Sequence, residues 1–369
     1  MNEKQKSFNA ASLTYFFIVV LFVILRLLSS FGLLKFMGAG GDYFFTIIIQ
    51  IVLLFGGSIF IYSALKKQKI KYTFQEFTIK KVSGKVVGLS FLLGVVVFLI
   101  NIFVSSAFNG FIELLGYEHT SQSISSYSFA SLLLNLLFTA VLPGICEEVA
   151  HRGMLLRSYS SLGPWKAIML SALMFGLLHV NIEQFFYATI IGIFLGVITI
   201  MSNSIIPAMI IHFMNNALST YLLFSEVNGM PLGNAFLTIQ SVLTSNLFIG
   251  ILLSFCIIIV LLYLGSYLFK IIVQNRLKED ITLLQQQFTK EIQRQRYLMS
   301  LENSRLEAIG LEPVEDGDIF AGIKEFAAML DEPAQPPEFK PSKYGKLLTI
   351  VTVALGVVLT IFTFVWGVL

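Results

Sequence analysis

Charged residues are scarce in this sequence. Of its 369 residues, 13% are Asp, Glu, Lys or Arg, compared with about 25% in an ordinary globular protein. Hydrophobic residues make up 56% of the chain, and its mean hydropathy is +0.80. A water-soluble fold cannot bury that much apolar surface. The composition therefore excludes a soluble enzyme and predicts a chain that lies mostly in lipid.

Cysteines and basic clusters are also few. The two cysteines, Cys146 and Cys256, lie in apolar segments without CxxC spacing, which excludes a disulfide framework and a thiolate metal site. The sequence has no basic cluster interleaved with aromatic residues, so we expect no nucleic-acid partner.

Long apolar runs make up most of the chain. A helix needs about 20 residues to cross the roughly 30 Å hydrocarbon layer of a bilayer. Nine runs have about this length, at 13–34, 43–65, 86–108, 129–146, 165–182, 184–202, 205–224, 247–270 and 347–369. The fourth run continues as a helix to about residue 157. The pattern predicts an all-α polytopic membrane protein with about eight to nine transmembrane helices.

The distribution of lysines predicts the orientation of these spans. Seven lysines lie between residues 66 and 85, in the loop that joins the second and third runs. Loops rich in Lys and Arg face the cytoplasm. With nine spans, the N-terminus is expected in the cytoplasm and the C-terminus outside the cell membrane. The outer loops then hold a single basic residue, Lys35.

An aqueous segment precedes the last apolar run. Residues 271–346 contain 10 of the 25 basic and 13 of the 22 acidic residues. Apolar residues recur there every three or four positions, which predicts a cytoplasmic amphipathic helix. They are Leu277, Ile281, Leu284, Phe288 and Ile292. An acidic, Pro-rich linker is expected at 312–341. This segment is either a solvated spacer or a binding site for a protein partner.

Five segments are predicted from these patterns. They are an N-terminal two-span region with the basic loop at 1–84, a core at 85–225, an outer loop and eighth span at 226–270, the cytoplasmic helix and linker at 271–346, and a C-terminal transmembrane helix at 347–369.

Ionisable and amide side chains are concentrated in three of the apolar runs. They are Glu147, Glu148, His151, Arg152, His179, His212, Asn215 and Asn216. A charged side chain at the centre of a bilayer costs at least about 2.5–3.5 kcal/mol, so these residues are candidates for function. A purely structural role, as an ion pair and helix–helix hydrogen bonds, is the alternative.

Helical spacing pairs some of these residues. Glu148 and Arg152 are four residues apart with the acid first, which favours an ion pair. Glu147 lies about 100° away around the helix, so it is expected to remain available as a general base. His212 and Asn216 are also four residues apart and should project from one helix face.

Such a set of side chains is suited to peptide-bond hydrolysis. A glutamate can activate water, and imidazole and amide groups can stabilise the developing oxyanion. The same residues could instead hold a divalent metal, because His, His and Glu are common zinc ligands. The sequence has neither HExxH nor GxSG, and AGGD at 39–42 only approaches GxGD. These absences argue against the site-2 zinc, serine and aspartyl types of intramembrane protease.

Three motifs resemble, in order and spacing, those of the CAAX protease and bacteriocin-processing family. EEVAHR at 147–152, FGLLH at 175–179 and HFMNN at 212–216 are similar to its EExxxR, FxxxH and HxxxN/D motifs. The resemblance covers about residues 85–225. It implies an intramembrane metalloendopeptidase of the type II CAAX prenyl endopeptidase kind, with a peptide or membrane-protein substrate. The alternative is a non-catalytic membrane scaffold or sensor, or a bacteriocin self-immunity protein, of the same family.

The resemblance also implies a role for each residue of the first motif. Glu147 would be the base that activates water. Glu148 and Arg152 would support it.

The other two motifs would complete the site. By the same resemblance, His179 would hold the water or a metal, and His212 and Asn216 would stabilise the oxyanion or complete the metal shell. A zinc site would use Glu147, His179 and His212, and a metal-free glutamate mechanism is the other possibility. His151 departs from the family, which often has an aromatic residue there. It either packs at that position or acts as a proton relay or ligand beside Glu147.

Overall fold

The computed structural model describes residues 2–32, 40–118, 128–308 and 341–368, and these residues form helices joined by short connections. We number the helices α1 Glu3–Ser30, α2 Gly40–Lys66, α3 Ile70–Glu76, α4 Gly84–Leu114, α5 Phe129–Leu162, α6 Pro164–Leu178, α7 Ile182–Ser202, α8 Ile206–Val227, α9 Pro231–Ser245, α10 Leu247–Ala308 and α11 Lys343–Val368. No strand occurs in the described ranges, and the predicted all-α class is confirmed. Lys35 and nearly all of the predicted linker lie outside these ranges.

Seven of the described helices are long and apolar enough to cross a membrane, namely α1, α2, α4, α5, α7, α10 and α11. The predicted multi-pass membrane architecture is therefore confirmed. The two other predicted spans are also helical. Helix α6 has only 15 residues, and α8 has 22 residues but carries polar side chains, including His212 and Asn215. Helix α9 lies in the predicted outer loop, where no helix was expected.

Turn residues between α5 and α7 keep these helices adjacent. Gly163 adopts φ +100°, a backbone conformation that favours glycine, and Pro164 begins α6 directly after it. Asn181 begins α7, because its side-chain oxygen accepts hydrogen bonds from the backbone N–H groups of Glu183 at 2.7 Å and Gln184 at 3.3 Å. Helices joined by connections this short must run back along one another.

Glycines allow α6 and α7 to approach closely. A Cβ atom added to Gly176 would clash with Thr189 Oγ1, and one added to Gly192 would lie 3.1 Å from the Cα atom of Ala172. Small residues at such contacts are typical of helix packing in membranes.

The described chain divides into two compact units. One comprises Met1–Gln274 with Lys340–Leu369, and the other comprises Asn275–Phe339. In the first unit, α11 packs against α1 and α6. In the second unit, α10 continues as a helix whose Leu277 and Leu284 side chains are exposed.

Candidate active site

An ion pair and a histidine meet at the centre of the first unit. Glu148 Oε1 accepts hydrogen bonds from Arg152 Nη1 and from His212 Nδ1, each at 2.9 Å. All three residues are buried. The Glu148–Arg152 ion pair that the spacing predicted is thus present. His212, from the third motif, is hydrogen-bonded to the same Glu148 oxygen. Because the charges of Glu148 and Arg152 compensate each other, both can be buried between helices.

Arg152 also connects α5 to its neighbours. Its Nη2 atom donates to the backbone oxygen of Gly192 on α7 at 3.1 Å. Its guanidinium carbon lies 4.5 Å from the ring centroid of Phe175 on α6. The arginine therefore holds three helices together around Glu148.

Glu147 has different surroundings from the neighbouring Glu148. Its Oε1 atom accepts a hydrogen bond from Gln50 Nε2 on α2 at 2.7 Å. Its Oε2 atom lies 3.9 Å from His212 Nε2. Glu147 is 8% exposed, whereas Glu148 is completely buried. One carboxylate oxygen of Glu147 is therefore fixed by an amide, and the other faces an imidazole.

The partners of His212 fix the orientation of its ring. Since the Glu148 carboxylate can only accept, Nδ1 of His212 donates to it. The other ring nitrogen, Nε2, lies 3.2 Å from Asn216 Nδ2. Asn216 Nδ2 also donates to the backbone oxygen of Thr139 at 3.0 Å, and Asn216 Oδ1 accepts from Asn215 Nδ2 at 3.1 Å. His212 and Asn216 therefore project together, as their spacing predicted.

His179 lies at the C-terminal end of α6. Its Nδ1 atom donates to the backbone oxygen of Phe175 at 2.9 Å, because a carbonyl oxygen can only accept. In the neutral form of a ring held in this way, Nε2 carries the lone pair. A lone pair on this nitrogen can accept a proton from water or bind a metal.

The Phe175 ring lies among three histidines. Its centroid is 5.1 Å from that of His151, 5.2 Å from that of His179 and 5.5 Å from that of His212. The three imidazole planes are nearly perpendicular to it, at 79°, 82° and 90°. This ring therefore spaces the histidines of three helices around one centre.

His151 is fully buried and both of its ring nitrogens have partners. Nδ1 donates to the backbone oxygen of Glu147 at 2.7 Å, and Nε2 lies 2.9 Å from the hydroxyl oxygen of Tyr15 on α1. These contacts favour the packing role over the proton relay, because neither nitrogen contacts the Glu147 carboxylate.

The geometry does not assemble the expected zinc ligands into one group. In the described part of the chain, no three His, Cys, Asp or Glu side chains lie close enough together to hold a metal ion. His179 and His212 both contact the Phe175 ring, and Glu147 Oε2 lies 3.9 Å from His212 Nε2. This donor set does not fit a three-ligand zinc site, and zinc binding stays a prediction.

Comparison with known proteins identifies the segment that carries these residues. Residues 129–218 match a family model described as type II CAAX prenyl endopeptidase Rce1-like. Over this segment the chain is similar to the Rce1-like family. The resemblance predicted from the motifs is confirmed. No curated protein and no solved structure matches the chain.

The Rce1-like match has consequences for the activity. It indicates a CAAX protease-type hydrolase in a lipid bilayer, with a peptide substrate. The matched residues run from the start of α5 into α8 and include the Glu147, His179 and His212 motifs.

Two residues at the site had no predicted role. Phe175 belongs to a recognised motif, but the spacing did not show that its ring contacts three histidines. Gln50 lies in the second apolar run, where an amide side chain is costly in lipid. An isolated amide in an apolar run is therefore the sequence feature that could have indicated a role for Gln50.

Proposed function

We propose that this protein is a membrane-embedded endopeptidase in which Glu147 is the general base. The contrast between two adjacent glutamates carries this proposal. Glu148 is neutralised by Arg152 and bound by His212. Glu147 forms no ion pair with Lys or Arg in the described ranges, and its Oε2 atom faces His212 at 3.9 Å. A carboxylate in this position can take a proton.

The first chemical step is attack of water on the carbonyl carbon of the scissile peptide bond. Glu147 Oε2 takes one proton from the water, and the water oxygen bonds to the carbon. His179 orients the water, because its Nε2 lone pair accepts the second O–H group. Holding the water between a carboxylate and an imidazole lowers the entropic part of the barrier.

Asn216 stabilises the oxyanion that forms on the substrate oxygen. One of its N–H groups points at His212 Nε2 and the other is bound by the Thr139 carbonyl. Rotation of the whole amide group releases both contacts and lets an N–H group donate to the substrate oxygen. His212 stays fixed by Glu148 and donates from Nε2 only when that nitrogen is protonated.

Collapse of the tetrahedral intermediate completes the reaction. The C–N bond breaks, and the proton held by Glu147 moves to the leaving amine. The products are a new carboxyl terminus and a new amino terminus, and Glu147 returns to its ionised form.

The predicted placement of the chain is part of this proposal. We place the protein in the cell membrane with a cytoplasmic N-terminus and an external C-terminus, on the basis of the lysine-rich loop. Residues 85–225 form the catalytic core, flanked by the predicted segments 1–84, 226–270 and 347–369. Segment 271–346 is available to a protein partner.

Metal analysis tests the zinc alternative. We expect cleavage to survive exhaustive chelation, because the described side chains form no three-ligand group. The metal content of the purified wild type and His212→Ala is measured by mass spectrometry. A stoichiometric metal that is lost from His212→Ala, together with loss of cleavage on chelation, would favour zinc instead.

Cleavage by the purified protein tests the proposed function. The probes are a farnesylated peptide with a CAAX terminus and a mixed peptide library, each added to the protein in liposomes. We expect product from the wild type and none above background from Glu147→Gln or His179→Ala. Full rescue of a deletion phenotype by Glu147→Gln would support the scaffold alternative.

A further inference from the structure

A buried glutamine on α2 contacts the proposed base. Gln50 is 7% exposed and its Nε2 atom lies 2.7 Å from Glu147 Oε1. These residues are 97 positions apart in sequence, on α2 and α5. The contact therefore depends on the tertiary arrangement of the two helices.

Glu147 determines the orientation of this amide. An ionised carboxylate only accepts hydrogen bonds, so the amide must present its N–H group to Glu147. The Gln50 Oε1 atom is then left buried without a hydrogen-bond partner in the described structure. An unsatisfied buried acceptor costs free energy. This orientation of the amide therefore leaves one acceptor unpaired and forms the hydrogen bond to Glu147.

We propose that Gln50 is a positioning residue for hydrolysis. Its amide fixes Oε1 of Glu147, and the other oxygen, Oε2, is thereby directed towards His212 Nε2. The proposal rests on the proposed function, because it assigns Gln50 a role only through Glu147.

Gln50 lies outside the segment that matches the family model, so the proposed site includes a residue that the match does not cover. That match covers residues 129–218, and α2 lies outside it. The amide is near the start of a π-helical stretch, Ile48–Ile61, within α2. Such wider turns shift side chains around the helix and are frequent at functional sites.

A pair of variants on the same helix tests the proposal. Gln50→Met preserves the length of the side chain but has no N–H donor. Ser58→Ala is the matched control, because Ser58 is buried on α2 and its hydroxyl has no partner in the described structure. With the farnesylated CAAX peptide, we expect Gln50→Met to lower kcat by about 10- to 100-fold, with KM within about twofold of wild type. We expect Ser58→Ala to match the wild type.

Further variants separate this inference from the proposed function. Wild-type kcat for a folded Gln50→Met, with Glu147→Gln inactive, would overturn the role of Gln50 and leave the base intact. An equally active Glu147→Gln would overturn the proposed function and this inference with it. If Gln50→Met does not fold, Gln50→Asn replaces it, since that variant keeps the amide but withdraws it from Glu147 by one methylene. Unchanged kcat in Gln50→Asn would also overturn the inference.

Discussion

Glu147 and Glu148 are adjacent, and their different partners separate their roles. The Glu148–Arg152 pair could be predicted, because it joins residues one helical turn apart. The contacts of Glu148 with His212 and of Glu147 with Gln50 could not be predicted, since they join residues 64 and 97 positions apart. Residue spacing therefore identified Glu147 and Glu148 as candidate site residues. The packing of the helices gives the two carboxylates different hydrogen-bond partners.

Removal of Arg152 should destabilise the protein by leaving a buried charge unpaired. We expect Arg152→Met to lower the free energy of unfolding by about 3–5 kcal/mol. The matched control is the double variant Glu148→Gln with Arg152→Met, in which neither charge remains. We expect the double variant to be more stable than the single one. Chemical unfolding in detergent measures both, and equal stability would show that the buried charge is not the cause.

Among the helices, the lengths of the apolar runs predicted most elements but not every one. The structure shows in addition that Gly163 and Pro164 separate α5 from α6, and that Asn181 begins α7. Helix α9 was not expected in the outer loop. The π-helical stretches Ile48–Ile61 and Val149–Leu156 were not expected either. The spacing of apolar residues does not indicate where an α-helix widens into a π-helical turn.

The close contact of α6 with α7 should not tolerate a side chain at Gly176. A Cβ atom there would lie 2.9 Å from the backbone oxygen of Phe185, as well as against Thr189. We expect Gly176→Ala to lower stability by about 1–3 kcal/mol. Cleavage should also fall, because His179 lies one turn further along α6.

Gly88→Ala is the control for this substitution. It lies on α4, where an added Cβ atom would meet no other atom within 4 Å. Thermal unfolding and cleavage are measured for both variants. If Gly176→Ala behaves like Gly88→Ala, the close approach of α6 and α7 is not required.

At the scale of the whole molecule, the site depends on helices outside the family match. Tyr15 on α1 contacts His151, and Gln50 on α2 contacts Glu147. Helix α11 packs against α6, where a Cβ atom on Gly356 would lie 2.9 Å from Leu177 Cβ. These three helices lie outside the predicted core at 85–225, and their contacts with the site join residues that are far apart in sequence. The first compact unit as a whole therefore supports the site.

Hydrolysis by wild type and Glu147→Gln shows whether the Glu147 carboxylate is the general base. Both proteins are purified, shown to have the same unfolding temperature and assayed on the farnesylated CAAX peptide in liposomes. We expect Glu147→Gln to lower kcat by at least about 100-fold, because the amide cannot take a proton from water. Product formation at the wild-type rate by Glu147→Gln would contradict this role.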